Sequence, residues 1–163
     1  MKRKRMSSFE IKKYLGTWHE LAHYPSFFEK NTNYNTTAKY IMRSDGNIDV
    51  LNSTYNNSVL ITAKGVAKLT DEELEFRVDF DFGDVAKFPR KEGFKPLSMD
   101  RSVPNYIIKN VWSRGPNEPY NFAVVTDGTD DALWVLSRDP RPSKEEYAEI
   151  IYPRVNQKEY WFQ

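Results

Sequence analysis

YLGTWHELAH, residues Tyr14 to His23, supports two incompatible readings. Its last five letters, His19-Glu20-Leu21-Ala22-His23, match the H-E-x-x-H pattern, in which two histidines one helical turn apart hold zinc and the glutamate activates water. The match has chemical meaning only on a helix. In a strand, positions i and i+4 share a face but lie about 13 Å apart at roughly 3.3 Å per residue, whereas both ligands of one zinc sit about 2 Å from it. Gly16 and Pro25 leave room for only about two helical turns, and Thr17, Trp18 and Tyr24 favour a strand. These are also the only two histidines in the chain, so a third ligand would have to be a recruited carboxylate. The stretch reads as a strand, and no metal site is expected from it.

The rest of the chain extends the strand reading. Glu73-Leu74-Glu75-Phe76-Arg77-Val78-Asp79-Phe80-Asp81-Phe82 alternates charged and apolar residues with period two, which puts Leu74, Phe76, Val78, Phe80 and Phe82 on one face. Residues 33–43 and 47–55 flank Ser44-Asp45-Gly46, a hairpin turn whose glycine can take a positive φ. Residues 58–69 form a further strand, with Gly65 marking a bend or bulge. Three more follow at 105–112, 120–126 and 132–138, the last two joined through Asp127-Gly128-Thr129-Asp130. With 17–24 the total is about eight strands in meander order, which suits a closed up-and-down barrel.

One helix stands against this background. Ser143 with Glu146 three residues on forms a capping box after Pro142, and Tyr147, Ile150 and Ile151 then repeat at helical spacing. Residues 7–13 are expected to form a turn or two before the first strand. Residues 83–103 read as a long irregular connection, either a rim loop or a cover over an opening.

Composition removes several function classes. The 24 basic and 23 acidic residues nearly cancel, and the only basic run, Lys2-Arg3-Lys4-Arg5, sits in a stretch, 1–8, expected to be a flexible tail. A nucleic-acid footprint normally spreads over a folded face, so no nucleic-acid partner is expected. With no cysteine, disulfides, thiolate metal sites and cysteine nucleophiles are all excluded. No apolar stretch follows the charged opening and no long apolar run occurs elsewhere, so a cytoplasmic location is the expectation. One domain, 1–163, is expected from the length and the lack of a composition break.

Tyr14-Leu15-Gly16-Thr17-Trp18 contains a G-x-W element that resembles the opening of lipocalins, and Tyr14 to Ala22 is similar to the first strand of bacterial lipocalins and apolipoprotein D. Leu133-Trp134-Val135-Leu136-Ser137-Arg138-Asp139-Pro140 resembles the family's last barrel strand. Residues 45–52 are similar to its second-to-third strand hairpin, and 143–155 occupy the place of its helix. The resemblance covers roughly 9–161. A family turn motif of Thr-Asp-Tyr is not recognisable near Asn110-Val111-Trp112, and 113–119 reads as an insertion there. The cysteines and lipoprotein signal common among relatives, which are often secreted or membrane-anchored, are absent from this sequence.

The resemblance implies an all-β fold: an eight-stranded antiparallel barrel with one C-terminal α-helix packed on it. It makes Gly16, Trp18 and Arg138 structural, the arginine packing across the Trp18 indole at the barrel floor. An inward Trp18 places Glu20 and Ala22 on the inner face and turns His19 and His23 outward. By the same parity the expected ligand wall is Tyr40, Ile48, Val50, Asn52, Ala63, Leu74, Phe76, Val78, Phe80, Tyr106, Ile108 and Trp134, with Gly65 also inward. Such a wall suits a small hydrophobic molecule or lipid with one polar end, carried by a monomer or homodimer that has room for peripheral membrane contact. No cofactor and no catalysis are expected. The alternatives are an interaction module with a filled barrel acting through its long loops, or a lipid-modifying enzyme on the same fold, of which the prostaglandin isomerase type needs a cysteine this sequence lacks.

Overall fold

The computed structural model describes residues 9–23, 34–81, 103–128, 133–155 and 161–162. The basic tail 1–8, Tyr24, Phe82, the connection up to residue 102 and the turn residues Thr129 and Asp130 lie outside the described residues.

Eight strands form: β1 (Gly16–His23), β2 (Tyr34–Met42), β3 (Ile48–Asn56), β4 (Val59–Leu69), β5 (Glu75–Asp81), β6 (Tyr106–Ser113), β7 (Tyr120–Thr126) and β8 (Leu133–Ser137). Each pairs antiparallel with the next, and β1 pairs with both β8 and β2, which closes the barrel. A short ninth strand, β9 (Trp161–Phe162), was not foreseen. It pairs with Ala22 and His23 of β1, on the stretch beyond His19, where the β1 register with β2 ends.

Turn chemistry sets the hairpins. Gly46 takes φ +87°, Asp45 accepts from the Asn47 amide at 2.9 Å, and Arg43 donates to both Asp45 and Asp49 across the β2–β3 turn. At the β3–β4 turn Asn57 and Ser58 have φ of 51° and 63°, the positive pair that matches a two-residue hairpin to strand twist. Gly65 sits on the inner face, where a Cβ would come within 2.9 Å of the Phe80 ring, so its missing side chain is what lets Phe80 cross β4.

The parity expected for β1 fails at one point. Glu20 pairs with Leu136, but Ala22 pairs with the next β8 residue, Val135, so Leu21 is the extra residue of a β-bulge. The bulge turns Leu21 and Ala22 together to the outside, where both join a buried cluster with Phe122, Val135 and Ile151. His23, expected outside, returns to the inner face opposite Trp134, with only 1% of its surface exposed. Its Nδ1 lies 3.4 Å from Glu20 Oε1. The H-E-x-x-H letters thus sit on a bulged strand, and no group of three metal-ligating side chains occurs among the described residues.

The outer cluster explains the helix. Ser143 Oγ accepts from the Glu146 amide and Glu146 accepts from the Ser143 amide, the capping box read from the sequence. From this cap, α1 (Lys144–Glu146) runs through a π-helical turn (Tyr147–Ile151) into α2 (Tyr152–Val155). Tyr147, Ile150 and Ile151 of that turn cover Leu21, Ala22, Phe122 and Val135 on the barrel's outer wall. Every residue of β7 is therefore buried, one face against the interior and the other beneath the helix side.

Candidate functional site

The barrel interior divides into a packed floor and a hollow above it. The floor begins with a 3-10 turn, Ile11–Lys13, that brings Tyr14 beneath the barrel. Trp18 is fully buried and donates from Nε1 to the Tyr14 carbonyl at 2.7 Å. The Arg138 guanidinium lies 4.0 Å above the Trp18 ring centre. Its Nη2 donates to the carbonyls of Lys13, Tyr14 and Leu15, its Nη1 to Thr17 and its Nε to Tyr120. Gly16, at φ +101°, lets the guanidinium approach: a Cβ there would meet Nη1 at 3.2 Å. Partial burial lowers the Arg138 pKa from the ordinary value, yet arginine stays protonated throughout the accessible pH range.

Above this plug lies a cavity that is open at its mouth. Of the twelve wall residues expected from the sequence, Tyr40, Val50, Asn52, Val78, Phe80, Tyr106 and Trp134 line it. Ile48, Phe76 and Ile108 are 3%, 2% and 1% exposed and belong to the packed layer, with Leu74 against it. Ala63 pairs with Asn52 on the inner face but does not line the cavity. Seven further lining residues were not among the twelve. Glu20 was placed inward but not assigned to ligand; Val125 and Leu136 follow from the register, since Val125 faces Trp134 and Leu136 faces Glu20. Thr36, Thr37 and Ala38 all reach the cavity where β2 has an irregular register and Asn35 takes φ 51°. Asn105 precedes β6 and extends it by side chain, its amide exchanging hydrogen bonds with both the N–H and the C=O of Val78. No sequence period marks either feature.

Three phenols join floor to cavity. Tyr106 OH meets Tyr40 OH at 2.8 Å and also hydrogen-bonds Tyr14 OH. Burial pushes all three pKa values above the ordinary phenol range. The charge of Glu20 adds to the rise at Tyr40, where the Tyr106 hydrogen bond and Arg138 oppose it. The fold thus favours the neutral phenols, while an unfolded tyrosine ionises near pH 10. This contribution to stability is intact below about pH 10 and is lost as pH rises through the folded-state values. Alkaline titration followed by phenolate absorbance should show at least three of the ten tyrosines ionising only as the barrel unfolds. Reversible ionisation of all ten in the folded protein would contradict the cluster.

The geometry is that of a small-ligand barrel, plugged below and hollow above. A family model described as a lipocalin-like domain matches residues 9–163, and the chain belongs to that family, whose members generally bind small hydrophobic ligands. Temperature-induced lipocalin-1 of Arabidopsis thaliana is 26% identical over 152 residues, 93% of this chain and 75% of that protein. The outer membrane lipoprotein Blc of Citrobacter freundii is 31% identical over 144 residues, 86% of this chain and 68% of that protein. Among solved structures, the cockroach allergen Per a 4 superposes with a TM-score of 0.57 at 19% identity, over 91% of this chain and 83% of that one, a likeness of fold alone.

Proposed function

We propose that this protein binds one fatty acid, lysophospholipid or similar single-chain lipid in the barrel cavity and carries or stores it without chemical change. The observation that carries the reading is the hollow itself. An apolar wall of Val50, Val78, Phe80, Val125, Trp134 and Leu136 stands over a sealed floor, with a few polar groups among it. Such a wall gains about 0.8 kcal/mol for each buried methylene of a ligand chain, so shape and length govern affinity more than any one hydrogen bond. Weak selectivity among chains of similar length follows.

Displacement of a fluorescent acyl probe by single-chain lipids tests this. One site per chain is expected, and Trp134→Ala or Tyr106→Ala should weaken binding by about tenfold, the equivalent of roughly 1.4 kcal/mol. Unchanged affinity for every lipid in both variants would place the ligand elsewhere. The filled-barrel alternative, with the long loops contacting protein, predicts no displacement at all.

A further inference from the structure

The hydroxyl cluster beneath the hollow holds more protons than it has internal bonds. Tyr14, Tyr40 and Tyr106 carry one O–H each, and each oxygen can also accept. Among the described residues they make two hydrogen bonds, Tyr106 with Tyr40 at 2.8 Å and Tyr106 with Tyr14. Two protons close those bonds, and the third has no acceptor within the cluster.

Position decides which hydroxyl keeps it. Tyr14 is 2% exposed and packs against Phe9, Trp18 and Tyr40 at the floor. An O–H left over there would be desolvated without a partner, the costly outcome for a buried donor. Tyr14 therefore donates to Tyr106. Tyr106 then either passes its own proton to Tyr40 or accepts from both neighbours. Tyr40 and Tyr106 both line the cavity and Tyr14 does not, so in either arrangement the surplus O–H is presented to the hollow. A hydroxyl that already accepts a hydrogen bond is also polarised into a stronger donor.

This donor sits at the deep end. Tyr40 is in register with Gly16, where β1 begins, and Tyr106 with Phe76 of the packed layer. From Phe76 the inner face of β5 continues along the cavity wall through Val78 to Phe80, about 13 Å further on. A ligand chain lying against Val78 and Phe80 extends away from the phenols.

We propose that Tyr40 and Tyr106 form a hydrogen-bond donor subsite at the bottom of the cavity for the carbonyl oxygen of a ligand, which enters oxygenated end first with its hydrocarbon chain trailing towards the mouth. This rests on the barrel-cavity reading above and deepens it, giving the ligand a carbonyl-bearing end and a direction.

The test pairs methyl undecyl ketone with its isostere in which a methylene group replaces the carbonyl oxygen. Both are titrated against wild type and the triple variant Tyr14→Phe, Tyr40→Phe, Tyr106→Phe by displacement of a fluorescent acyl probe. The triple variant keeps all three rings and leaves no hydroxyl of the cluster without a partner, the pattern of substitution that costs a fold least. The ketone-to-alkene affinity ratio should fall about three- to tenfold in the variant, the effect of one hydrogen bond. Comparing ratios cancels the different cost of taking each ligand out of water. The infrared carbonyl stretch of the bound, isotope-labelled ketone should lie below its position in an alkane solvent for wild type and return to that position in the variant. An unchanged ratio overturns the proposal, and so does a carbonyl frequency that is the same in both proteins, because the oxygen then lies on another donor or in water at the mouth. Failure of both ligands to displace the probe removes the cavity reading itself, whereas binding of both with an unchanged ratio removes only the donor subsite. Should the triple variant not fold, an alkane-like frequency in wild type still overturns the proposal. Tyr40→Phe combined with Tyr106→Phe, which removes both cavity-lining hydroxyls, is then the second variant, with the same fall in ratio expected.

Discussion

Arg138→Ala is expected to destabilise the barrel by about 3–5 kcal/mol, a fall in Tm on the order of 10 °C for a chain of this size. Five backbone carbonyls from two stretches of chain far apart in sequence converge on one guanidinium, those of Lys13, Tyr14, Leu15 and Thr17 and that of Tyr120. Removing it leaves several of them poorly solvated at the floor, with the fully buried Trp18 ring uncovered on the face it now stacks against. The individual contributions do not add, because the carbonyls share one group and water reaches some of them. Arg138→Lys should recover only a minor part. An ammonium has three donors on a point charge and cannot repeat the planar fork that serves five acceptors. Thermal or urea unfolding of the three proteins measures this; equal midpoints for Arg138→Ala and wild type would remove the floor plug from the account.

That plug was legible through the family resemblance, which rests on residue types with narrow roles. A glycine, a tryptophan two residues on and an arginine after the last strand are few enough to be matched to one arrangement. The strands were legible for a different reason: those with a wet outer face alternate charge and apolarity visibly, as in 73–82, whereas β7, buried on both faces, was marked by the turns that bound it. The helix announced itself by its cap at Ser143 and Glu146.

What the letters hid is equally specific. The bulge at Leu21 carries no glycine or proline, and so His23 was assigned to the wrong face by a parity that is right as far as Glu20. The split between packed floor and hollow is invisible to alternation, since Ile48, Phe76 and Ile108 share the inward parity of Val50, Val78 and Tyr106. Only the summed volume of side chains at each level separates them. The short β9 depends on an edge of β1 that opens where β2 departs, a tertiary circumstance with no local signature.

The second large effect concerns the hollow. Ala38 lies on the inner face in register with Trp18 and Asn52 and lines the cavity. Ala38→Trp places an indole in the space assigned to the ligand chain. It should lower affinity for single-chain lipids by about a hundredfold or more, roughly 2.7 kcal/mol or above. Overpacking would cost the fold about 1–3 kcal/mol, so the variant is compared with wild type at a temperature where unfolding curves show both folded. Surface binding to an apolar patch such as Val59 and Leu60, 61% and 52% exposed, would not feel the substitution.

Native mass spectrometry of wild type and Ala38→Trp, each equilibrated with the same single-chain lipid, therefore bears most directly on the central claim. A single lipid adduct on the wild type, absent from the variant, is the predicted result. An adduct retained equally by both, or none on the wild type at saturating lipid, would show that the barrel interior is not where this protein holds a ligand.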